Sequence, residues 1–219
     1  MDIFDLIGPI MVGPSSSHTA GAVRIGYVAG KLLGEPPVSA DIIIHGSFAA
    51  TGRGHGTDRA LVAGLLGMRP DDERISQSCE LARERGLEFS FDMKELRTAH
   101  PNTAKLRLTG ASGKTLDMTA ASVGGGRIEV RELNGMPMRF TADKPTLLIS
   151  NADKPGSVAE VSHILAHENI NIATFNVNRS SRGGRAIMVI ECDAAIPPEA
   201  LRSIAASPGI LSAVFIEPD

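Results

Sequence analysis

The sequence predicts an α+β protein in two parts: a mixed α+β domain over residues 1–143 and a βαββαβ domain over residues 144–219. Three observations carry that reading. Helix-like and strand-like patterns alternate irregularly over the first 143 residues. Asp143, Lys144 and Pro145 form a polar break. Beyond it, one strand, one helix, two strands, one helix and one strand follow in about 75 residues, which is the split βαβ order.

The elements follow in turn. Residues 19–33 are rich in small and apolar residues and read as a helix that stops at Gly34, where Pro36 and Pro37 forbid continuation. Residues 41–46, a β-branched run closed by glycine, read as a buried strand. Residues 47–57, SFAATGRGHGT, are small, polar and glycine-rich and read as a loop. Asp58 then stands where a cap would open a helix over 59–66. Acids at 71–73 favour a helix start, and that helix runs to Gly86. Residues 88–92 suit a strand. Residues 104–109 and 115–120 alternate on either side of a turn and read as a hairpin. Three glycines at 124–126 precede a strand at 127–133.

In the second part, 146–151 is a strand and 152–157 turns into an amphipathic helix, with Val158, Val161, Ile164 and Leu165 at helical spacing. Residues 170–179 alternate, 180–184 form a hairpin turn, and 185–192 make a central strand. Pro197 and Pro198 open a second helix, and 210–216 closes the sheet.

Composition narrows the function. The 219 residues are 42% hydrophobic and 21% charged, the balance of a soluble globular chain. A net charge of -3 and 4% aromatics argue against nucleic acid or an anionic membrane surface as partner. No apolar run is long enough to span a bilayer, and the acidic start MDIFDLIGP is no secretory signal. Cys79 and Cys192 stand far apart, too few for a disulfide framework or an ordinary zinc site, and fit reduced thiols in the cytoplasm. His163 and His167 are four residues apart on the predicted helix but have no third ligand in view.

The chemistry gathers in GPSSSHT, residues 13–19. Pro14 stiffens the approach. Ser15, Ser16, Ser17 and Thr19 bring hydroxyls to a helix start, where free N–H groups and the helix dipole favour an anion. A carboxylate fits, and His18 adds a donor or a proton-transfer group. The residues alone equally allow Ser17 or Thr19 to do no more than cap the helix. In TGRGHG, residues 51–56, glycines flank His55 and leave its imidazole projecting. His45, closing a strand, reads either as a satisfied core group or as a strand-end site residue. His100 is held extended by Pro101 and reads either as a turn residue or as a direct participant.

Residues 153–161, DKPGSVAEV, and 169–172, NINI, resemble an ACT domain, the small amino-acid-sensing module of ferredoxin-like fold. GPSSSHT with residues 45–58, 100–102 and 123–126 resembles the beta chain of iron–sulfur L-serine dehydratase. The two resemblances together span nearly the whole chain. They imply a lyase that converts L-serine to pyruvate and ammonia. They imply His55 and His18 as catalytic residues, and substrate contacts from Ser15, Ser16, Ser17, Thr19, His45, Ser47, Thr51 and Gly52. For the ACT part they imply a regulatory ligand at Asp153, Gly156, Ser157, Val158, Asn171 and Ile172, and self-association. They also imply a 4Fe-4S cluster. Two scattered cysteines cannot hold one; the resemblance to two-chain members of the family implies that a cysteine-rich alpha chain carries the cluster and shares the site, and that this chain holds no metal. The alternative is a purely regulatory amino-acid-sensing subunit, since a similar N-terminal domain has a regulatory place in some phosphoglycerate dehydrogenases.

Overall fold

A computed structural model describes residues 11–218; the side chains of residues 51–53 lie outside the described set. The chain divides between Thr141 and Ala142 into two units. The N-terminal α+β architecture and the C-terminal βαββαβ order are those the sequence predicts.

In the first unit a six-stranded sheet runs β2-β1-β3-β4-β5-β6. Its strands are β1 (Pro37–Ile44), β2 (Glu88–Met93), β3 (Thr103–Gly110), β4 (Thr115–Gly124), β5 (Arg127–Leu133) and β6 (Met136–Phe140). β1 and β2 are parallel and every other neighbouring pair is antiparallel. The two-residue period sets the faces. Ala40, Ile42, Leu106, Leu108, Met118 and Ala120 are buried. Between them Asp41 stands opposite Arg107, and Arg107 opposite Asp117. Lys105 Nζ lies 3.1 Å from Asp117 Oδ1 and 3.2 Å from Glu132 Oε1.

The helices are α1 (Gly21–Leu33), α2 (Ser47–His55), α3 (Thr57–Leu65) and α4 (Ser78–Glu84). α1 packs on β3, β4 and β5, and α3 packs on α1. That crossing is close because both helices present glycine. A Cβ on Gly26 would collide with the Leu61 carbonyl oxygen, and one on Gly64 with Val23 O and Tyr27 N.

Four local expectations change. The helix expected at 19–33 begins earlier, with a π-helical turn at Ser16–Ala20 that is continuous with α1, and its cap is Ser15 rather than Ser17 or Thr19. The loop expected at 47–57 is largely α2, despite glycines that disfavour helix. Long-range contacts set its start: Pro101 O accepts from Ser47 N at 2.7 Å and from Phe48 N at 3.4 Å, and Phe48 is fully buried. Asp58 does not cap α3; left-handed Gly56 (φ 68°) holds that place, and the Asp58 carboxylate accepts from Arg59 N at 2.9 Å. The helix expected from 70 to 86 is split into a 3₁₀ turn, Glu73–Gln77, capped by Asp72, and α4. Strand β6 went unread, although Asn134 (φ 50°) and Gly135 (φ 76°) make the turn that pairs Leu133 with Met136.

The second unit has β7 (Thr146–Ala152), α5 (Ser157–His167), β8 (Ile172–Arg179), β9 (Arg185–Cys192), α6 (Pro198–Ala206) and β10 (Ile210–Ile216). Its sheet is antiparallel throughout, in the order β10-β7-β9-β8, so β9 is interior as expected. Val161 and Leu165 of α5 and Ile204 of α6 join Leu147, Ile149, Met188 and Ile190 in one core. Val158, expected on the apolar stripe of α5, is 43% exposed.

Candidate functional site

The site is built on the π-helical turn. Ser15 is extended (φ -144°, ψ 121°), and its Oγ accepts from His18 N at 3.2 Å. Ser15 O takes the Thr19 N–H at 2.8 Å. The N–H groups of Ser16 and Ser17 head the helix, where no preceding carbonyl is in reach. The Ser16 and Ser17 side chains are half-buried. Hydroxyls, N–H groups and the positive end of an eighteen-residue helical run (Ser16–Ala20 continued by Gly21–Leu33) therefore converge there. Gly21 must be glycine, since a Cβ would strike Ser122 of β4. That contact seats the turn on the sheet.

His18 is fixed from both sides. Its Nδ1 lies 3.3 Å from Ser15 Oγ and its Nε2 3.0 Å from Ser47 Oγ. A hydroxyl can donate or accept, so the imidazole can change protonation state without leaving its place. Phe48 meets its ring edge-on at 5.4 Å, and the His55 ring lies 5.1 Å away. Burial pushes the His18 pKa below the ordinary histidine value, and the neighbouring His55 pushes it the same way. A hydrogen bond at the Ser47 backbone works in the opposite sense.

His55 ends α2, and its carbonyl accepts from Thr19 Oγ1 at 3.4 Å. Its Nδ1 is buried with no hydrogen-bond partner among the described residues. The structure therefore gathers His18, His55, Ser15, Ser47 and Thr19 in one place. Thr51 and Gly52 fall on α2, but their side chains are outside the described set.

His45 and His100 are engaged otherwise. His45 is buried, and its Nδ1 accepts from Leu96 N at 3.1 Å, 3.5 Å from Glu95 Oε2, which ties down the segment after β2. His100 Nδ1 accepts from Asn102 N at 3.2 Å, and its carbonyl takes the Thr103 hydroxyl at 2.7 Å. The turn so formed presents Pro101 O to the start of α2. Gly46 (φ 57°) permits this, since a Cβ there would lie 2.6 Å from Pro101 O. Sequence reasoning missed this support. The signal was the glycine directly before Ser47.

In the second unit, Asp153 Oδ2 accepts from Gly183 N at 2.9 Å, with Arg179 at 3.4 Å. Asn171 Nδ2 donates to Asp193 at 2.6 Å. Gly156 and Ser157 line a cavity of about 450 Å³ with Lys154, Glu160 and Gly209. Asp153, Val158, Asn171 and Ile172 do not line it.

The two cysteines do not come together. Cys79 and Cys192 lie in different units, and burial raises both thiol pKa values, so neither is a ready thiolate. Among the described residues no three His, Cys, Asp or Glu side chains form a metal-holding group, His163 and His167 included. No helix among them is long and apolar enough to cross a membrane.

Comparison with known proteins places the chain in a family. The family model "Serine dehydratase beta chain" matches residues 2–132, and the ACT domain model matches 145–209. A probable L-serine dehydratase beta chain of Bacillus subtilis is 42% identical over 98% of this chain and 97% of its own length. The L-serine dehydratase beta chain of Peptoniphilus asaccharolyticus is 38% identical over 87% and 86% respectively. A D-3-phosphoglycerate dehydrogenase of Bacillus subtilis is 27% identical over 90% of this chain, but only 37% of its own length.

Proposed function

The chain belongs to the serine dehydratase beta-chain family, with a C-terminal ACT domain, and on that premise we propose that it forms half of a shared active site that converts L-serine to pyruvate and ammonia. The other half is a cysteine-rich alpha chain in the cytoplasm. That chain carries the 4Fe-4S cluster for which this one lacks thiolates. Domains at 1–143 and 144–219 divide the work: the first meets substrate, and the second binds a regulatory amino acid and self-associates.

One observation carries the reading: a helix start rich in hydroxyl and N–H donors stands beside two imidazoles 5.1 Å apart. The substrate carboxylate binds at Ser15, Ser16 and Ser17, matched by the helix dipole, while the buried Thr19 hydroxyl, donated to the His55 carbonyl, holds His55 in place. Loss of water from serine needs removal of the α-proton and protonation of the leaving hydroxyl. His55, whose Nδ1 has no partner among the described residues, faces the reacting centre and moves a proton. His18 backs it, held by Ser15 and Ser47. Ser47 acts on His18 rather than on substrate. Thr51 and Gly52 complete the substrate-binding surface, and buried His45 ties down the segment after β2 instead.

The test is steady-state kinetics of the two-chain enzyme carrying Ser16→Ala or His55→Ala, each variant checked for an intact cluster. A hydroxyl that binds ground and transition states alike raises KM when removed and leaves kcat almost unchanged. Loss of a proton-transfer histidine lowers kcat by about 10²–10⁴-fold. The likeness to D-3-phosphoglycerate dehydrogenases favours a second reading, in which the unit only senses an amino acid. Wild-type kcat in His55→Ala, with altered amino-acid sensitivity in Ser16→Ala, would establish that reading instead.

A further inference from the structure

A cavity of about 430 Å³ opens in the first unit where the C-terminal halves of α1 and α3 meet the start of β1. Its walls include Gly30 and Leu65, and Tyr27, Lys31, Glu35 and Arg85 line it as well. That volume is within the range of small-molecule sites, which combine an apolar wall with a few polar groups.

Two independent observations set it apart from a packing dent. The first is Gly30. Gly26 and Gly64 are needed for the crossing of α1 and α3, but Gly30 is not: a Cβ there would lie 3.5 Å from Leu65 O, an ordinary contact. Glycine in a helix interior is destabilising relative to alanine. Here it lines the cavity and leaves its space open. The second is Tyr27, which is 92% buried, since only 8% of it is exposed. Its ring lies under the Arg69 guanidinium at 4.1 Å and the Lys31 ammonium at 5.4 Å. No hydrogen bond reaches its hydroxyl from another described residue.

Charge defines the occupant. Lys31 and Arg85 have no carboxylate partner among the described residues. The acid of the lining, Glu35, is already occupied, accepting from Ser112 N at 3.1 Å and Ser112 Oγ at 2.8 Å. Two unpaired cations, a tyrosine hydroxyl and an apolar wall match an anion with an aliphatic body. We infer that this cavity binds a short-chain aliphatic monocarboxylate, with the carboxylate toward Lys31 and Arg85 and the chain against Gly30 and Leu65. The proposal does not rest on the dehydratase reading.

Tyr27 is the single tyrosine of a chain without tryptophan, so intrinsic fluorescence reports on this cavity alone. The full-length chain is titrated with hexanoate, and with hexan-1-ol as the uncharged control. The expected result is a saturable change with hexanoate at about millimolar concentration, and a response to hexan-1-ol at least about tenfold weaker. Gly30→Leu fills the space and abolishes the change. Lys31→Gln, at the rim and harmless to packing, weakens binding about tenfold and keeps the test valid should Gly30→Leu not fold. A fluorescence signal unmoved by hexanoate, or equal affinity in wild type and Lys31→Gln, would overturn the proposal.

Discussion

His18 is the residue whose surroundings make the sharpest claim. Burial is the larger cause of its lowered pKa, and His55 adds to it. Removing the neighbour should therefore recover part of the shift and no more. In His55→Gln, the His18 ring proton followed by NMR titrates at higher pH than in wild type but still below the ordinary histidine value. Complete recovery would mean that charge and not burial sets the shift. The sign for stability follows from linkage. A histidine whose folded pKa lies below its unfolded value binds fewer protons when folded, so its contribution is fully present above about pH 6.5 and is lost as pH falls through the folded pKa. Denaturant unfolding from pH 7.5 to 5 should show wild type losing more stability than His18→Gln, which has no such proton to take up. Ser47 supplies a separate check. If it positions His18, Ser47→Ala shifts the pH dependence of kcat in the two-chain enzyme and leaves KM for serine nearly unchanged; a rise in KM alone would return it to the substrate-binding set.

At the scale of elements, three glycines on two helices separate packing from propensity. Gly26→Ala or Gly64→Ala forces α1 and α3 apart and should cost about 1–3 kcal/mol, as overpacking does. Gly30→Ala meets no such obstacle and should gain up to about 1 kcal/mol from helix propensity. Thermal melts read by Tyr27 fluorescence distinguish the two outcomes, and a loss at Gly30 equal to that at Gly26 would contradict the geometry. The same elements show what the sequence made legible. Residues 21–33 and the six elements of the second unit were readable because their apolar period matches their form. Residues 47–55 were not. Gly52 and Gly54 lower helix propensity there, and what secures the start of α2 lies some fifty residues away, in the Pro101 carbonyl. The opening motif was readable as chemistry before it was readable as structure. Ser15 to Thr19 announced a donor-rich helix start. That Ser15 and Ser47 would grip His18 from opposite sides depended on a contact 29 residues long in sequence, which no local pattern encodes.

Over the whole molecule, the question is which parts act alone. The second unit has its own core, Leu147 through Ile204, and ends in strands β8 and β10 whose outer edges have no neighbour in the sheet among the described residues. Residues 142–219 should therefore fold by themselves and self-associate, since open strand edges favour pairing; sedimentation equilibrium giving only monomer, with and without amino acids, would count against the regulatory pairing proposed for them. The first unit poses the opposite case. It brings donors and imidazoles together but no set of thiolates, because an iron–sulfur cluster asks for three or four and the chain has two. One of those, Cys192, sits fully buried in the core of the second unit, and Cys79 has its thiol pKa raised by burial and by the charge of Asp58. Treated anaerobically with iron and sulfide, the purified chain should remain colourless, bind no stoichiometric iron and leave serine unchanged. The same treatment of an alpha chain, followed by mixing, should yield both the cluster absorbance and pyruvate, and His55→Ala should reduce the pyruvate without reducing the absorbance. That last contrast isolates what this chain contributes: if the absorbance fell with the turnover, His55 would be acting on cluster assembly and not on the proton of serine.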